Sequence, residues 1–333
     1  MFELLRRHRR IIIALALPYL LVMFLLTYRI EYRIYTPGDL NPVENFIEFD
    51  DPYPQRNPFN TIYIMNVEEP TFFQFMTSYF TAAHTTDKLP ESRTAVSDSA
   101  RFESGQVARN TSVDLALINA YEALGLSITY ETEHIVSLYY EWMDNKALEI
   151  GDVILEVNGE EDVIDALNAV ECGEEASLRV RKEEGHEETL VITKQERDDH
   201  CAFGLNVSTY HRITDAEIPY KVKDSIIGGP SGGLMQTLHI YNVLSEEDLT
   251  EGLTIAGTGS IRIDGSVGNV GGVREKVWTA HKRGVDIFFV PDGSNHDAAM
   301  RAQREIADDS MTIVAVGTFE DALDYLKRGE SDE

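Results

Sequence analysis

Residues 228–233 read GGPSGG, and this segment limits the possible folds of the chain more narrowly than any other. Four glycines and a proline in six residues favour a tight turn, because proline fixes φ and only glycine readily adopts positive φ. Residues 218–222 predict a strand before this turn, and residues 234–244 predict a buried helix after it. Ser231 is therefore expected where a helix begins, among outward-pointing N–H groups that can stabilise an oxyanion.

A second glycine-rich string ends at Lys276. Residues 264–276 read DGSVGNVGGVREK, and Thr258 lies just upstream in the string IAGTGSI. A serine at a helix start is equally consistent with a simple N-cap, so Ser231 alone does not indicate catalysis. A serine nucleophile needs a neighbouring base, and a lysine buried without a carboxylate partner can have its pKa lowered by up to ~3–5 units. The two strings together predict a Ser–Lys dyad.

These strings closely resemble the proteolytic domain of Lon proteases, where the serine lies in a Gly-Pro-Ser-(Ala/Gly)-Gly turn and the lysine ends a Gly-Gly-x-(Lys/Arg)-Glu-Lys string. The resemblance covers roughly residues 217–327. It implies an α+β domain with Ser231 as nucleophile and Lys276 as general base. The residues that it assigns to supporting roles are Thr258, Gly229, Pro230 and Gly232.

The chain also departs from that family. Cytosolic Lon proteins often carry an acidic residue three positions before the serine, where this chain has Gly228, and here the serine and the lysine are 45 residues apart (276 minus 231). The chain contains no Gly-Lys pair and hence no phosphate-binding loop of the P-loop type. We therefore expect cleavage of peptides or flexible protein segments without ATP, cofactor or metal.

A third string, ALEIGDVILEVNG at residues 147–159, places a Gly-Asp turn before an alternating strand that ends in an Asn-Gly turn. It resembles the signature of PDZ domains, which bind extended peptides by strand addition at a sheet edge. The resemblance implies a helix at 163–170 and strands at 176–180 and 188–193. It places the carboxylate-binding loop at Gly125, Leu126, Ser127 and Ile128.

Residues 11–28 form an apolar run of eighteen residues without a charge, preceded by the basic string RRHRR. This pattern predicts a transmembrane anchor, and the absence of a small-x-small cleavage site disfavours a signal peptide. The positive-inside rule then predicts a cytoplasmic N-terminus and an extracytoplasmic catalytic domain.

The formal net charge of -28 makes nucleic acid an improbable partner, because an acidic surface repels phosphates.

Taken together, the resemblances are typical of bacterial membrane-anchored peptidases that combine a PDZ-like domain with a Lon-type domain. The PDZ-like part is expected to precede the proteolytic domain or to be inserted in it, since residues 110–124 and 60–67 match an earlier helix and strand of that domain. The predicted organisation is a basic cytoplasmic segment (1–10), an anchor (11–28), an extended stalk (29–60), the N-terminal part of the peptidase module (61–125), a PDZ-like domain (126–196), the Lon-type domain (205–327) and an acidic tail (328–333).

Several alternatives stay open at this level. Cys172 and Cys201, the only cysteines, lack the spacing of a zinc site and are equally consistent with a disulfide or with two free thiols. The chain could be a catalytically silent PDZ adaptor, or a sensor in which occupancy of the PDZ-like groove controls the peptidase. The expected partners are peptide or protein substrates, the membrane, and further copies of this chain in a homo-oligomer.

Overall fold

The computed structural model describes residues 8–90, 95–197 and 200–329. Parts of the predicted basic segment and acidic tail, residues 1–7 and 330–333, lie outside the described residues. The helices are α1 (Arg9–Thr27), α2 (Phe72–Ser78), α3 (Asp98–Leu124), α4 (Val163–Ala169), α5 (Gly233–Leu244), α6 (Val273–Lys282), α7 (Ser294–Ile306) and α8 (Phe319–Gly329), with a short 3₁₀ turn at Val43–Asn45.

Some strands lie between these helices and others follow one another directly, as from β7 to β12, which confirms the mixed α+β class. They are β1 (Tyr32–Pro42), β2 (Ile47–Phe49), β3 (Asn60–Glu68), β4 (Thr85–Lys88), β5 (Ile128–Tyr139), β6 (Val153–Val157), β7 (Glu175–Arg181), β8 (Glu187–Thr193), β9 (Gln195–Arg197), β10 (His200–Ala202), β11 (Leu205–Ala216), β12 (Tyr220–Val222), β13 (Ile255–Gly257), β14 (Ser260–Ile261), β15 (Val267–Gly268), β16 (Ile287–Pro291) and β17 (Thr312–Val316).

A six-stranded sheet forms the body of the molecule, in the order β17-β16-β13-β3-β1-β4. The first four strands are mutually parallel, whereas β1 pairs antiparallel with both β3 and β4. Successive residues of β16 point to opposite faces, so Ile287 and Phe289 enter one core cluster and Phe288 and Val290 another. Because helices pack against both faces, the sheet is a buried central layer.

A separate five-stranded antiparallel sheet, in the order β11-β5-β6-β7-β8, is built from residues between α3 and β12. It has its own core, which α4 helps to cover. Its strands β5 and β11 pair from Ile128 opposite Ala216 to Tyr139 opposite Leu205, and form a two-stranded ribbon. The base of the ribbon packs on the core of the body, so the second sheet extends from the first through this ribbon.

The predicted membrane anchor is wrong. Across the described ranges, no helix has both the length and the apolar character needed to cross a bilayer. The predicted single-pass topology and extracytoplasmic catalytic domain depended on this anchor and are therefore wrong as well.

The region expected to be an extended stalk also differs. Tyr32–Pro42 is strand β1, which hydrogen-bonds to β3 on one side and to β4 on the other. Ile47–Phe49 pairs with β12, directly before the turn that carries Ser231. Residues 29–60 therefore help to build the body rather than hold it at a distance.

Candidate active site

Residues 228–233, which we call the serine turn, connect β12 to α5. Gly229 adopts a φ of 95°, in the left-handed region that favours glycine. Its N–H donates a hydrogen bond to the carbonyl of Gly105 in α3 (2.7 Å). Gly232 is the N-cap residue of α5, so Ser231 stands just before the first turn of that helix, as the sequence predicted.

The backbone of the serine turn lies against the backbone of α3. A Cβ atom added to Gly228 would stand 2.9 Å from the carbonyl carbon of Gly105, closer than real Cβ contacts come. Cytosolic Lon proteins often carry an acidic residue at this position, and such a side chain here would require α3 to move. The departure at Gly228 therefore has a steric basis, which the sequence did not reveal because Gly105 is far away along the chain.

Lys276 lies in the first turns of α6 and is 3% exposed. Its Nζ donates a hydrogen bond to Thr258 Oγ1 (2.8 Å). Thr258 Oγ1 in turn donates to the backbone carbonyl of Ser231 (3.0 Å), and the N–H of Gly259 donates to the same carbonyl (2.9 Å). The fully buried Thr258 thus joins the amine of Lys276 to the backbone that carries Ser231.

Burial is the main cause of an unusual charge state at Lys276. Removal from water penalises the ammonium form and lowers the pKa of Lys276 to about 8, while the negative charge of the neighbouring Glu275 opposes this effect. The amine is therefore half neutral near pH 8 rather than almost wholly protonated. A neutral amine is the form that can accept a proton.

Ser231 and Lys276 both line a cavity of about 910 Å³. Strands β1 and β3 and the segment that leads into the serine turn form the other walls, with Tyr35, Thr61, Arg109 and Ile226 among the lining residues. The described contacts include no direct hydrogen bond between the hydroxyl of Ser231 and the amine of Lys276; they are related through Thr258. The cavity is large enough to admit several residues of a peptide.

Two buried polar side chains that the sequence did not single out support the serine turn. Ser112 Oγ in α3 contacts Gln236 Oε1 in α5 (3.1 Å) and the carbonyl oxygen of Pro230 (3.3 Å). Both side chains are at least 97% shielded from solvent, Ser112 being 2% and Gln236 3% exposed. The only signal in the sequence is a glutamine inside the apolar string LMQTLHIYNVL, which by itself indicates no role.

The predicted carboxylate-binding loop lies at the base of the ribbon, away from this cavity. Gly125 ends α3 in the left-handed conformation, and its N–H and that of Leu126 donate to carbonyls of α3. The N–H of Ser127 donates to Glu217 Oε2 (2.7 Å), and Ile128 begins the ladder with β11. These donors are already used within the chain, and a peptide-binding role for the loop stays a prediction.

The two cysteines are joined by a disulfide between Cys172 and Cys201. The bond ties the segment after α4 to β10, so the alternative of two free thiols is excluded in this structure. In the described part of the chain, no three His, Cys, Asp or Glu side chains cluster closely enough to hold a metal ion.

Comparison with known proteins identifies part of the chain. Residues 212–327 match the family model of the Lon protease (S16) C-terminal proteolytic domain. The Lon protease of Campylobacter concisus (strain 13826) is 33% identical over 133 residues, which are 40% of this chain and 16% of that protein. The Lon protease of Mesomycoplasma hyopneumoniae (strain 232) is 29% identical over 126 residues, 37% of this chain and 14% of that protein.

A shorter match is closer in sequence. The Lon protease of Fusobacterium nucleatum is 41% identical over 69 residues, 21% of this chain and 9% of that protein. The chain thus spans less than a fifth of the length of these curated relatives. The segment that matches the family model, residues 212–327, contains the serine turn, Thr258 and Lys276, and its homologues indicate a serine peptidase domain, a hydrolase.

Proposed function

We propose that this chain is an ATP-independent serine endopeptidase in which Ser231 is the nucleophile and Lys276 is the general base. The observation that carries the proposal is the buried connection from Lys276 through Thr258 to the backbone of Ser231. It holds an amine with a lowered pKa beside the serine turn, at the wall of a cavity that both residues share.

In the proposed first step, neutral Lys276 Nζ accepts the proton of Ser231 Oγ while the oxygen attacks the carbonyl carbon of the scissile peptide bond. The new C–O bond gives a tetrahedral oxyanion, which N–H groups at the start of α5 stabilise. The intermediate then expels the amine of the departing peptide, which takes the proton from the Lys276 ammonium. The product of this half-reaction is an acyl ester on Ser231.

Water completes the cycle. Lys276, neutral again, removes a proton from a water molecule that attacks the ester carbonyl, and the proton returns to Ser231 as the ester breaks. The first transfer requires the two side chains to come within hydrogen-bond reach when substrate binds. Hydrogen bonds of this kind often tighten only in the complex with substrate.

The proposed substrates are peptides and flexible protein segments. The sequence has no P-loop string that would supply an ATP-driven unfolding step, and the cavity suits an extended chain. We also propose that residues 126–196 are a PDZ-like domain that recognises substrates or gates the cavity. It would be inserted between residues 61–125 and 205–327 of the peptidase module, which would act as a homo-oligomer.

The test uses the full chain and a mixture of fluorogenic peptides. We expect Ser231→Ala and Lys276→Ala each to lower kcat by at least about 10³-fold, because the dyad acts as a unit. Circular dichroism and thermal melting should show both variants folded. A fluorophosphonate probe should label the wild type at Ser231, as read by peptide mass spectrometry.

A variant without either group that still cleaves peptides would refute the proposed mechanism. Peptides that bind equally to wild type and Ser231→Ala without any turnover would instead support a catalytically silent adaptor.

A further inference from the structure

Arg109 is a buried cation in the wall of the catalytic cavity. It lies on α3, is 8% exposed, and lines the same cavity as Ser231 and Lys276. Its Nε and Nη2 both donate to Asn110 Oδ1 (3.2 and 3.0 Å), and Nη2 also contacts the carbonyl of Lys223 (3.3 Å). Its Nη1 is buried and has no hydrogen-bond partner among the described residues.

Among the described residues, no carboxylate forms an ion pair with Arg109. Asp224 is near enough to raise the pKa of Arg109 through its charge, but burial has the larger effect and lowers the pKa. The described contacts contain no ion pair or hydrogen bond between these two side chains. A guanidinium nevertheless stays charged in proteins, so the site holds a positive charge with one unused donor group.

The missing partner is therefore an acceptor, and preferably an anion. A buried charge is costly unless it is paired, and guanidinium binds carboxylate through parallel, charge-assisted hydrogen bonds. Among the described residues that line the cavity, Asp87 is the only acid, and it pairs with Arg33 at 3.9 Å. A substrate that enters the cavity from outside can supply a carboxylate.

We infer that Arg109 is a specificity-determining residue that binds a carboxylate of the peptide substrate. The inference rests on the proposed peptidase function and adds a substrate class to it: peptides with an acidic side chain, or a free C-terminal carboxylate, within a few residues of the cleaved bond. Because Nη1 lies beneath the cavity surface, the contact requires a small outward shift of the side chain or of residues 224–227.

A purely structural role makes a different prediction. Through the carbonyl of Lys223, Arg109 also holds the segment that leads to the serine turn. If that were its whole function, loss of the guanidinium would slow the cleavage of every peptide by the same factor. A specificity residue instead changes the ratio between acidic and neutral peptides.

The experiment measures kcat/KM for matched peptide pairs. Each pair differs only by Glu or Gln at one of four positions on either side of the cleaved bond, and each peptide is made with a free or an amidated C-terminus. We expect the wild type to prefer one carboxylate-bearing form by about ten- to a hundredfold, as one charge-assisted hydrogen bond predicts. The Glu/Gln series and the acid/amide series separate a side-chain carboxylate from a terminal one.

Arg109→Gln should abolish this preference, and the readout is the ratio of kcat/KM between the two members of a pair rather than the absolute rate on either. Lys221→Gln is the matched control, since it removes the same charge from an exposed position outside the cavity and should keep the preference. Arg109→Lys retains the positive charge but lacks the planar guanidinium with its parallel N–H donors, so it should keep only part of the preference for the acidic peptide. It serves as the test if Arg109→Gln does not fold, as judged by circular dichroism.

The outcomes separate the two proposals. A wild type that cleaves no peptide defeats the proposed function itself. A wild type that cleaves acidic and neutral peptides equally overturns the inference about Arg109 and leaves the peptidase intact. Equal loss on both members of a pair in Arg109→Gln or Arg109→Lys overturns the inference in favour of the structural role.

Discussion

The two sheets of this molecule are built in different ways. In the six-stranded sheet, both faces of β16 are buried, because helices cover the sheet from both sides. In the five-stranded sheet, β7 buries Ala176, Leu178 and Val180 while the residues between them face outward. A layer enclosed on both faces can keep a lysine dry, whereas a sheet covered on one face offers an open surface and an edge. The chemistry and the recognition surface are thus expected in different regions.

The largest expected effect tests whether the chemistry resides in the body. Thr258→Val removes the hydroxyl that holds the Lys276 amine, and leaves a buried polar group without its partner. We expect kcat for peptide cleavage to fall by about a hundredfold, corresponding to ~3 kcal/mol. Thr279→Val is a matched control, since its buried hydroxyl bonds only to the backbone of its own helix. Equal activity of the two variants would separate Thr258 from catalysis.

A smaller loss is expected at the contact between the serine turn and α3. Gly228→Ala places a methyl group against the backbone of Gly105 and displaces the turn. We expect kcat to fall by about tenfold, since a displacement of roughly 1 Å can cost up to 10²-fold. Gly105→Ala is the control from the other side, because its new Cβ would lie 3.7 Å from Gly228 and fits. A fully active Gly228→Ala would show that the turn is not fixed by α3.

The five-stranded sheet should show the opposite behaviour. Leu178→Ala creates a cavity in its core, and we expect this sheet to lose about 2–5 kcal/mol of stability. Cleavage of short peptides should stay within about threefold of wild type, because the catalytic cavity lies in the body. Urea unfolding followed by Trp142 fluorescence, with Trp278 replaced by Phe, reports on this sheet alone.

The exposed Val191→Ala provides the baseline for that measurement. If Leu178→Ala instead removed peptidase activity while the body stayed folded, the division of roles between the two sheets would be wrong.

The smallest expected effect concerns pH. Since burial lowers the pKa of Lys276 to about 8, kcat should rise with pH through that value as the base loses its proton. The charge of Glu275 raises the pKa of Lys276, so Glu275→Gln should move this rise to lower pH; the amide can still accept from Thr85. Glu305→Gln, which loses only the exposed partner of Arg274, should leave the profile unchanged. A shift to higher pH would contradict the assignment of Lys276 as base.

The sequence predicted local features well. The serine turn, helix α5 and strands β7 and β8 were expected close to where they lie, because glycine, proline and alternating apolar residues determine backbone shape over short distances. Strand β1 was expected to be part of a stalk, because its identity as a strand depends on pairing with β3 and β4. Helix α3 begins at Asp98, whereas the sequence pattern predicted its start at residue 110. The first turns of the helix are polar, and only the N-cap Ser97 indicates where they begin.

The parts of the site that could not be predicted are those that depend on contacts distant in sequence. Ser112, Gln236 and Arg109 gain their roles from neighbours more than a hundred residues away. The pairing of Cys172 with Cys201 was left open, since it requires knowing which strands are adjacent. The anchor was predicted from an uncharged apolar run of eighteen residues and its basic flank, whereas no helix in the described residues is long and apolar enough to cross a bilayer.

Helix α3 contacts both regions of the molecule. Near one end Gly105 accepts the hydrogen bond from the serine turn, and at the other end Gly125 leads directly into the ribbon. Its 27 residues form a rod of about 40 Å. Because one continuous helix joins the ribbon to the backbone beside the serine turn, a displacement of the second sheet along the helix axis would be transmitted to the position of Ser231.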